Sequence, residues 1–226
     1  MKKVLIFIGG IFLVVLLVIA MIIPQKEAKE NLLNIKYDIK GNESELKYDS
    51  ENPIVAMYIE NYGSIVMELY PNVAPNTVNN FISLIKSGFY DNNSMHRLMP
   101  GFVLQGGDPT GSGSGGPDYE IKGEFAANGF ENNLSHEKWI VSMARNSGNM
   151  DSAGSQFFIC LEDSTYLDGN YASFGKVIDG FDNIKNIENN EVIADNESGK
   201  LLHNLKIKKT IIDLNGKDYP EVEKIK

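Results

Sequence analysis

Arg97 is the residue of this sequence whose surroundings best suit a role in catalysis. The turn dipeptide Pro100-Gly101 follows it, and then an apolar run that ends at Gln105. A guanidinium stays charged and holds its N–H donors in a rigid fork, so it can stabilise an atom that gains electron density during a reaction. A lone arginine is nevertheless most often an ordinary surface residue, and the neighbours of Arg97 must decide between the two interpretations.

The strand predicted after this turn has two different faces. Alternation along a β-strand places Val103 and Gln105 on one face and Leu104 on the other. Phe102, taken without its neighbours, is more simply a core residue. A second informative run covers residues 142–177 and has the sequence SMARNSGNMDSAGSQFFICLEDSTYLDGNYASFGKV.

Within the second run, alternation places Gln156 and Phe158 on one strand face. Cys160 lies in the same strand and is the only cysteine of the chain. No histidine or metal-ligand spacing accompanies it, which favours a small buried hydrophobic residue over a catalytic thiol.

The two runs together resemble the active surface of the cyclophilins, a family of peptidyl-prolyl cis–trans isomerases. The most specific pattern is His-Arg, two apolar residues, Pro-Gly-Phe, two more residues and Gln-Gly-Gly-Asp, which stands as HRLMPGFVLQGGD at residues 96–108. The resemblance covers residues 53 to about 213; taken with the N-terminal apolar stretch described below, it indicates a bacterial, membrane-anchored member of the family. It also implies a mainly β fold, a closed antiparallel eight-stranded barrel capped by two helices.

By this resemblance Arg97 is the catalytic residue, and a substrate pocket lies beside it. The substrate-binding residues are Phe102, Val103, Gln105, Ala144, Arg145, Gln156, Phe158, Tyr166, Leu167 and Tyr171. Ala144 and Arg145 resemble the segment whose backbone hydrogen-bonds the substrate peptide, and Phe158 resembles the aromatic floor of the pocket. The resemblance implies no cofactor and no metal ion.

The implied reaction makes few chemical demands. Amide resonance gives the peptide bond a rotation barrier of about 18–20 kcal/mol, and uncatalysed X-Pro exchange takes roughly tens to hundreds of seconds. An enzyme can hold the proline ring in an apolar pocket and place a hydrogen-bond donor near the twisted amide. The prolyl nitrogen becomes pyramidal in the transition state and can then accept that hydrogen bond.

Three positions depart from the eukaryotic pattern. Arg145 replaces a common asparagine, which implies a changed preference for the residue next to the proline. Tyr166 stands in place of a tryptophan that contacts the drug cyclosporin, and the smaller aromatic implies weak or reduced cyclosporin binding. Tyr171 replaces a histidine at the border of the pocket. The two tyrosines look bacterial rather than disabling.

Other suggestive patterns are weaker. The run GSGSGG at residues 111–116 lacks the Lys-Ser or Lys-Thr of a phosphate-binding loop, so a loop beside the substrate groove is the better interpretation. His96, His136 and His203 are too scattered to predict a metal site.

Short strands separated by glycine and asparagine clusters dominate the predicted secondary structure. The predicted strands cover residues 54–59, 64–70, 99–105, 139–144, 155–161, 174–178 and 205–213. One helix begins at Pro75 and stops at Gly88, and a second covers residues 181–188. Many short strands with two helices are typical of a barrel or sandwich.

The N-terminal part of the chain predicts a membrane anchor over residues 1–24. Residues 4–23 carry no charge, and about 20 apolar residues span a bilayer. A charged tether then covers residues 25–52, the isomerase domain residues 53–214, and a polar, frayed tail residues 215–226. A cleaved signal peptide is the alternative, but its apolar core usually runs only about 7–15 residues.

Lys2 and Lys3 favour an N-terminus inside the cytoplasm. The chain is therefore predicted to be a single-pass protein of the bacterial plasma membrane with an extracytoplasmic catalytic domain, or a secreted protein after cleavage. Residues 32–39 could add a short strand.

The net charge of −9 argues against nucleic acid as a partner. The expected partners are proline-containing peptides, unfolded exported proteins and, through the N-terminal helix, the membrane. Two alternatives stay open: a non-catalytic chaperone or binding module for proline-containing segments, and an interaction protein that uses the barrel as a scaffold.

Overall fold

The computed structural model describes residue 48 and residues 50–225. The predicted anchor, most of the predicted tether and the short strand suggested for residues 32–39 lie outside the described residues. Within the described part, no helix combines the length and the apolar composition that crossing a membrane requires.

The described residues form nine strands and two α-helices. In chain order they are β1 Ile54–Ile59, β2 Gly63–Leu69, α1 Pro75–Lys86, β3 Ser94–Met99, β4 Val103–Asp108, β5 Ile140–Met143, β6 Phe157–Cys160, β7 Ser173–Asp179, α2 Phe181–Asn190, β8 Ile193–Asp195 and β9 Lys200–Asp213. Short 3-10 helices lie at Ala126–Asn128 and Thr165–Leu167.

Eight of these strands close into an antiparallel barrel. Their order is β1-β2-β7-β5-β6-β4-β3-β9, and β9 pairs back onto β1. The prediction of a closed eight-stranded barrel with two helices is therefore confirmed. The short strand β8 was not predicted; it pairs with β9 as an extra hairpin.

The alternation of side chains along β4 and β6 separates an inner from an outer apolar cluster. Leu104 and Phe157 belong to the large interior cluster of the barrel. Val103 and Phe158, each one residue away, form with Cys160 a second cluster. A period of two puts neighbouring side chains on opposite sheet faces, so the second cluster lies on the other side of the barrel wall.

The N-terminus of α1 is capped from outside the helix. Pro75 is its first residue, where the missing N–H costs nothing. The carboxylate of Glu124 accepts hydrogen bonds from the backbone N–H groups of Asn76, at 3.0 Å, and Thr77, at 2.7 Å. A negative charge at this end also suits the helix dipole, so Glu124 anchors the 117–125 loop to the helix.

The start of α2 requires a glycine. Gly180 has φ +85°, and a Cβ there would lie 2.3 Å from the carbonyl oxygen of Ser64 in β2. Such a close approach excludes any side chain. Ile184 and Ile187 then point into the interior cluster.

The predicted strand at residues 99–105 in fact spans the end of one strand, a turn and the start of the next strand. Strand β3 ends at Met99 and β4 begins at Val103, with a turn between them. Gly101 in that turn has φ +69°, a conformation that suits glycine and reverses the chain. The correction places Arg97 and Gln105 on neighbouring strands.

The expectation of a frayed C-terminal tail is wrong for the described residues. Ile225 forms a β-bridge with Glu120. Glu223 and Asn76 exchange two hydrogen bonds between backbone and side-chain amide, at 2.8 and 2.9 Å. Tyr219 and Val222 pack against the interior cluster. Polar composition did not reveal these contacts because a few apolar residues at intervals are enough to fasten the segment.

Candidate active site

A pocket of about 200 Å³ lies on the outer side of the β4–β6 pair. Strand register aligns Val103 with Cys160 and Gln105 with Phe158. The lining residues are Arg97, Phe102, Val103, Gln105, Ala144, Arg145, Phe158, Leu167 and Tyr171. The structure thus gathers most of the site residues predicted from the sequence into one concave surface.

Arg97 lies at one edge of this pocket. Its Nη1 donates a hydrogen bond of 2.9 Å to Oε1 of Gln105, and its Nε donates one of 2.7 Å to the carbonyl oxygen of Ser198. The guanidinium carbon is 6.0 Å from the centre of the Phe102 ring. Burial lowers the pKa of Arg97, but a guanidinium remains protonated. The side chain is therefore a fixed, partly desolvated cation beside an apolar pocket.

A chain of hydrogen bonds extends from Arg97 into the glycine loop. Because Gln105 accepts through Oε1, its Nε2 is free to donate to Oε1 of Gln156, at 3.0 Å. The Nε2 of Gln156 in turn donates to the carbonyl oxygens of Gly113 and Gly115, at 3.0 and 2.9 Å. Each amide is thus oriented by the bond before it, which fixes the direction of the Arg97 fork.

Phe158 forms the floor of the pocket and is supported from behind by His136. The two rings stack with centres 6.1 Å apart and planes 18° apart. His136 is 1% exposed; its Nδ1 lies 2.7 Å from Oδ1 of Asp168 and its Nε2 3.0 Å from Oγ of Ser142. Burial lowers the pKa of His136, and the hydrogen bond to Asp168 offsets this only in part. A neutral ring with both nitrogens engaged keeps the floor in place.

Arg145 stacks at the rim of the pocket. Its guanidinium carbon lies 4.8 Å from the ring centre of Tyr171 and 5.2 Å from that of Phe125. Its Nε donates to the carbonyl oxygen of Asn170 at 2.9 Å, and its Nη1 donates to that of Asn146 at 3.0 Å. The group is therefore held in one orientation by two aromatic rings and by backbone acceptors.

Two predicted residues lie outside this pocket. Tyr166 is 69% exposed and stacks on Phe102 with ring centres 5.9 Å apart. Gln156 instead lines a second pocket of about 370 Å³, bordered by the glycine loop. Gln105, Ala144 and Arg145 line both pockets, so the two form one groove. The backbone N–H of Ala144 is already bound to the carbonyl oxygen of Gln156, at 2.9 Å.

The glycine loop is organised by a buried carboxylate. Asp108 is 0% exposed and accepts hydrogen bonds from the backbone N–H groups of Thr110 and Gly113, at 2.7 and 2.6 Å. Burial raises the pKa of Asp108, but hydrogen bonds from Thr110, Gly115 and Gly113 outweigh this and hold the pKa well below its usual range. The N–H of Gly113 therefore serves the protein's own carboxylate, unlike the free donors of a phosphate-binding loop.

Cys160 lies beneath the pocket and is fully buried. Burial raises the pKa of its thiol to about 12. The thiolate is the reactive form of cysteine, so this environment fits the small hydrophobic residue predicted from the sequence.

Sequence reasoning missed the residues that support the site. From the sequence, His136 stands out only as a candidate metal ligand, and no pattern marks Asp168, Ser198 or Phe125. These contacts join positions far apart in the chain, such as Arg97 and Ser198, and neither periodicity nor a local motif carries a signal for them.

Comparisons with known proteins agree with this geometry. The family model described as cyclophilin type peptidyl-prolyl cis-trans isomerase/CLD matches residues 54–212. The chain is similar to peptidyl-prolyl cis-trans isomerase B of Bacillus subtilis, 44% identical over 137 residues that cover 61% of this chain and 92% of that protein. It is also similar to a peptidyl-prolyl cis-trans isomerase of Helicobacter pylori, 44% identical over 52% of this chain and 68% of that protein.

A solved structure gives the same result. The crystal structure of a cyclophilin type peptidyl-prolyl cis-trans isomerase of Cryptosporidium parvum, in the presence of the dipeptide Ala-Pro, matches with a TM-score of 0.62 and 35% identity. The match covers 71% of this chain and 98% of that one. This chain therefore belongs to the cyclophilin family, and it is a peptidyl-prolyl cis-trans isomerase.

Proposed function

We propose that this isomerase lowers the barrier to X-Pro rotation through a hydrogen bond from Arg97 to the prolyl nitrogen. The main support is the position of the guanidinium, which Gln105 and Ser198 hold at the edge of an apolar pocket. As the amide twists, resonance is lost and the nitrogen lone pair becomes an acceptor. A donor that is already oriented gains more from that lone pair in the transition state than in the planar ground state.

The apolar residues of the pocket supply the second part of this mechanism. Val103 and Phe158, with Leu167 packed against them, offer an apolar surface for a proline ring. If the ring is held there, the rest of the peptide can rotate about the X-Pro bond while Arg97 stays in place. Rotation breaks no covalent bond, so His96 and His136 have no proton to transfer in this scheme.

Loss of the Arg97 donor tests the mechanism. We expect Arg97→Ala to lower kcat/KM for a short proline peptide by about 10²- to 10³-fold, the effect of removing one oriented donor. Lys185→Ala on the exposed side of α2 is the matched control for loss of one positive charge. Equal exchange rates in wild type and Arg97→Ala, measured by NMR, would refute the role of Arg97.

We further propose that the enzyme acts on exported or cell-surface proteins while tethered to a bacterial plasma membrane. The support is the uncharged stretch at residues 4–23, preceded by Lys2 and Lys3. Protease treatment of intact cells should then degrade the catalytic domain, and the membrane-extracted protein should retain the mass of the full chain. A mass lacking the first residues would favour a secreted form, and protection of the domain would contradict an extracytoplasmic site.

Weak cyclosporin binding is a further part of the proposal. The exposed Tyr166 stacks on Phe102 at the edge of the pocket, and a tyrosine offers less apolar area than a tryptophan. We expect Tyr166→Trp to raise the affinity for cyclosporin and to leave peptide exchange nearly unchanged. Unchanged cyclosporin affinity in this variant would remove the role given to Tyr166.

A further inference from the structure

The chain contains only two arginines, Arg97 and Arg145. Both line the pocket of about 200 Å³ described above, which we call the proline pocket. No aspartate or glutamate lines that pocket. Among residues 48 and 50–225, neither arginine forms an ion pair with a carboxylate. In a protein with a net charge of −9, this concave surface therefore carries two arginines that have no carboxylate partner.

Arg145 differs from Arg97 in its position. It lines both the proline pocket and the second pocket, so it borders the path of any peptide that occupies the groove. The only acidic residue of the second pocket is Glu120, which is joined to the C-terminal segment by its backbone bridge to Ile225.

The contacts of Arg145 fix its head group but leave donors available. Its Nε and Nη1 bind the carbonyl oxygens of Asn170, Asn146 and Ser147. No bond from its Nη2 to another described residue is present. An arginine held on an aromatic face is already ordered, so it loses little side-chain entropy when a carboxylate binds.

From these observations we infer that Arg145 selects substrates with an acidic side chain near the proline and disfavours substrates with a basic one. The inference rests on the proposed function, because it assumes that the peptide lies along this groove. The experiment therefore varies the residue on each side of the proline separately.

The test uses full-length protein and peptides that have Glu, Gln or Lys at one position on either side of the proline in an alanine background. Exchange is measured by NMR, without a coupled protease, so every flanking residue is comparable. We expect kcat/KM for the Glu peptide to exceed that for the Gln peptide by up to about fivefold at one position, the size of an exposed ion pair. The Lys peptide should be poorer than the Gln peptide.

Salt and substitution separate charge recognition from a structural role. The preference should shrink between about 0.01 M and 1 M salt, where the Debye length falls from roughly 30 Å to 3 Å. It should be lost in Arg145→Gln and kept in part in Arg145→Lys, with Lys185→Gln as the control for net charge. A purely structural role would lower the rates of all peptides by the same factor in Arg145→Gln.

Equal rates with Glu and Gln peptides in the wild type, or a preference that survives Arg145→Gln, would overturn the inference. The alanine peptide distinguishes this failure from failure of the proposed mechanism. If the enzyme exchanges that peptide rapidly and Arg97→Ala slows the exchange, the proposed mechanism stands whatever the charge preference.

Discussion

The Nη1 of Arg97 lies 2.9 Å from Oε1 of Gln105, across the strand pair in which the two residues are register partners. The bond exists because the turn at Pro100-Gly101 folds β4 back onto β3 and returns Gln105 to the level of Arg97. Local chain reversal thus places a hydrogen-bond donor and its positioning residue side by side.

Replacement of Gln105 by leucine should disturb the direction of the Arg97 fork. The substitution removes the acceptor of Nη1 and breaks the chain of amides that leads to Gln156. A hydrogen bond to a charged group contributes about 1.5–3 kcal/mol, so we expect kcat/KM to fall by roughly tenfold or more. The far-ultraviolet circular dichroism spectrum should stay unchanged. A Gln105→Leu enzyme as fast as the wild type would show that Arg97 needs no such support.

Stability should decrease as the pH falls below about 6.5, the ordinary pKa of histidine. Burial lowers the pKa of His136 and of His96 in the folded protein. Below this pH the unfolded chain therefore binds more protons than the folded chain. The free energy of unfolding decreases until the pH falls below the pKa values of these histidines in the folded protein. Urea unfolding at a series of pH values measures this slope.

The histidine contribution can be isolated by substitution. His136→Gln should reduce the slope of unfolding free energy against pH, and replacement of the exposed His203 by glutamine is the matched control. A free energy of unfolding that is constant or increases from pH 7 toward pH 5 would contradict a lowered histidine pKa in the folded protein.

The thiol of Cys160 should be inert in the native protein. Its pKa is raised to about 12 by burial, and both access and thiolate formation are needed for reaction with a disulfide reagent. We expect labelling at pH 8 to proceed only as fast as the protein opens and to become rapid in denaturant. Prompt labelling of the native protein would mean that the base of the pocket is open to solvent.

Removal of the C-terminal segment should destabilise the domain. A chain that ends at Asp218 loses the contacts of Tyr219 and Val222 with the interior cluster and the Ile225 bridge to Glu120. The loss of this buried apolar surface should lower the free energy of unfolding by about 2 kcal/mol. It should be measurable as a lower midpoint of urea unfolding. Removal of Lys226 alone is the matched control, and an unchanged midpoint in the longer truncation would show that the segment carries no stability.

The sequence was a good guide wherever a local pattern determines the structure. Alternation placed Gln105 on the same strand face as Val103, and Phe158 on the same strand face as Gln156. The helix predicted from Pro75 begins where α1 begins and ends within two residues of it. The resemblance of the run at residues 96–108 singled out Arg97, which lines the pocket in the structure. These features depend on side-chain period, turn chemistry or a continuous motif.

The supporting contacts could not be predicted because they join distant parts of the chain. His136 stacks behind Phe158 only after β6 and the loop that precedes β5 have come together. Strand β3 was missed because its sequence, SMHRLM, has few β-branched or aromatic residues and is fixed by pairing with β4 and β9. Tertiary pairing, rather than local preference, determines such segments.

The most direct test compares catalysis with binding in the same Arg97→Ala sample. NMR exchange spectroscopy gives the interconversion rate of a bound proline peptide, and titration gives its dissociation constant. If Arg97 acts on the twisted amide, the exchange rate should fall by about 10²-fold or more while affinity changes far less. An unchanged exchange rate, or a loss fully explained by weaker binding, would contradict the account.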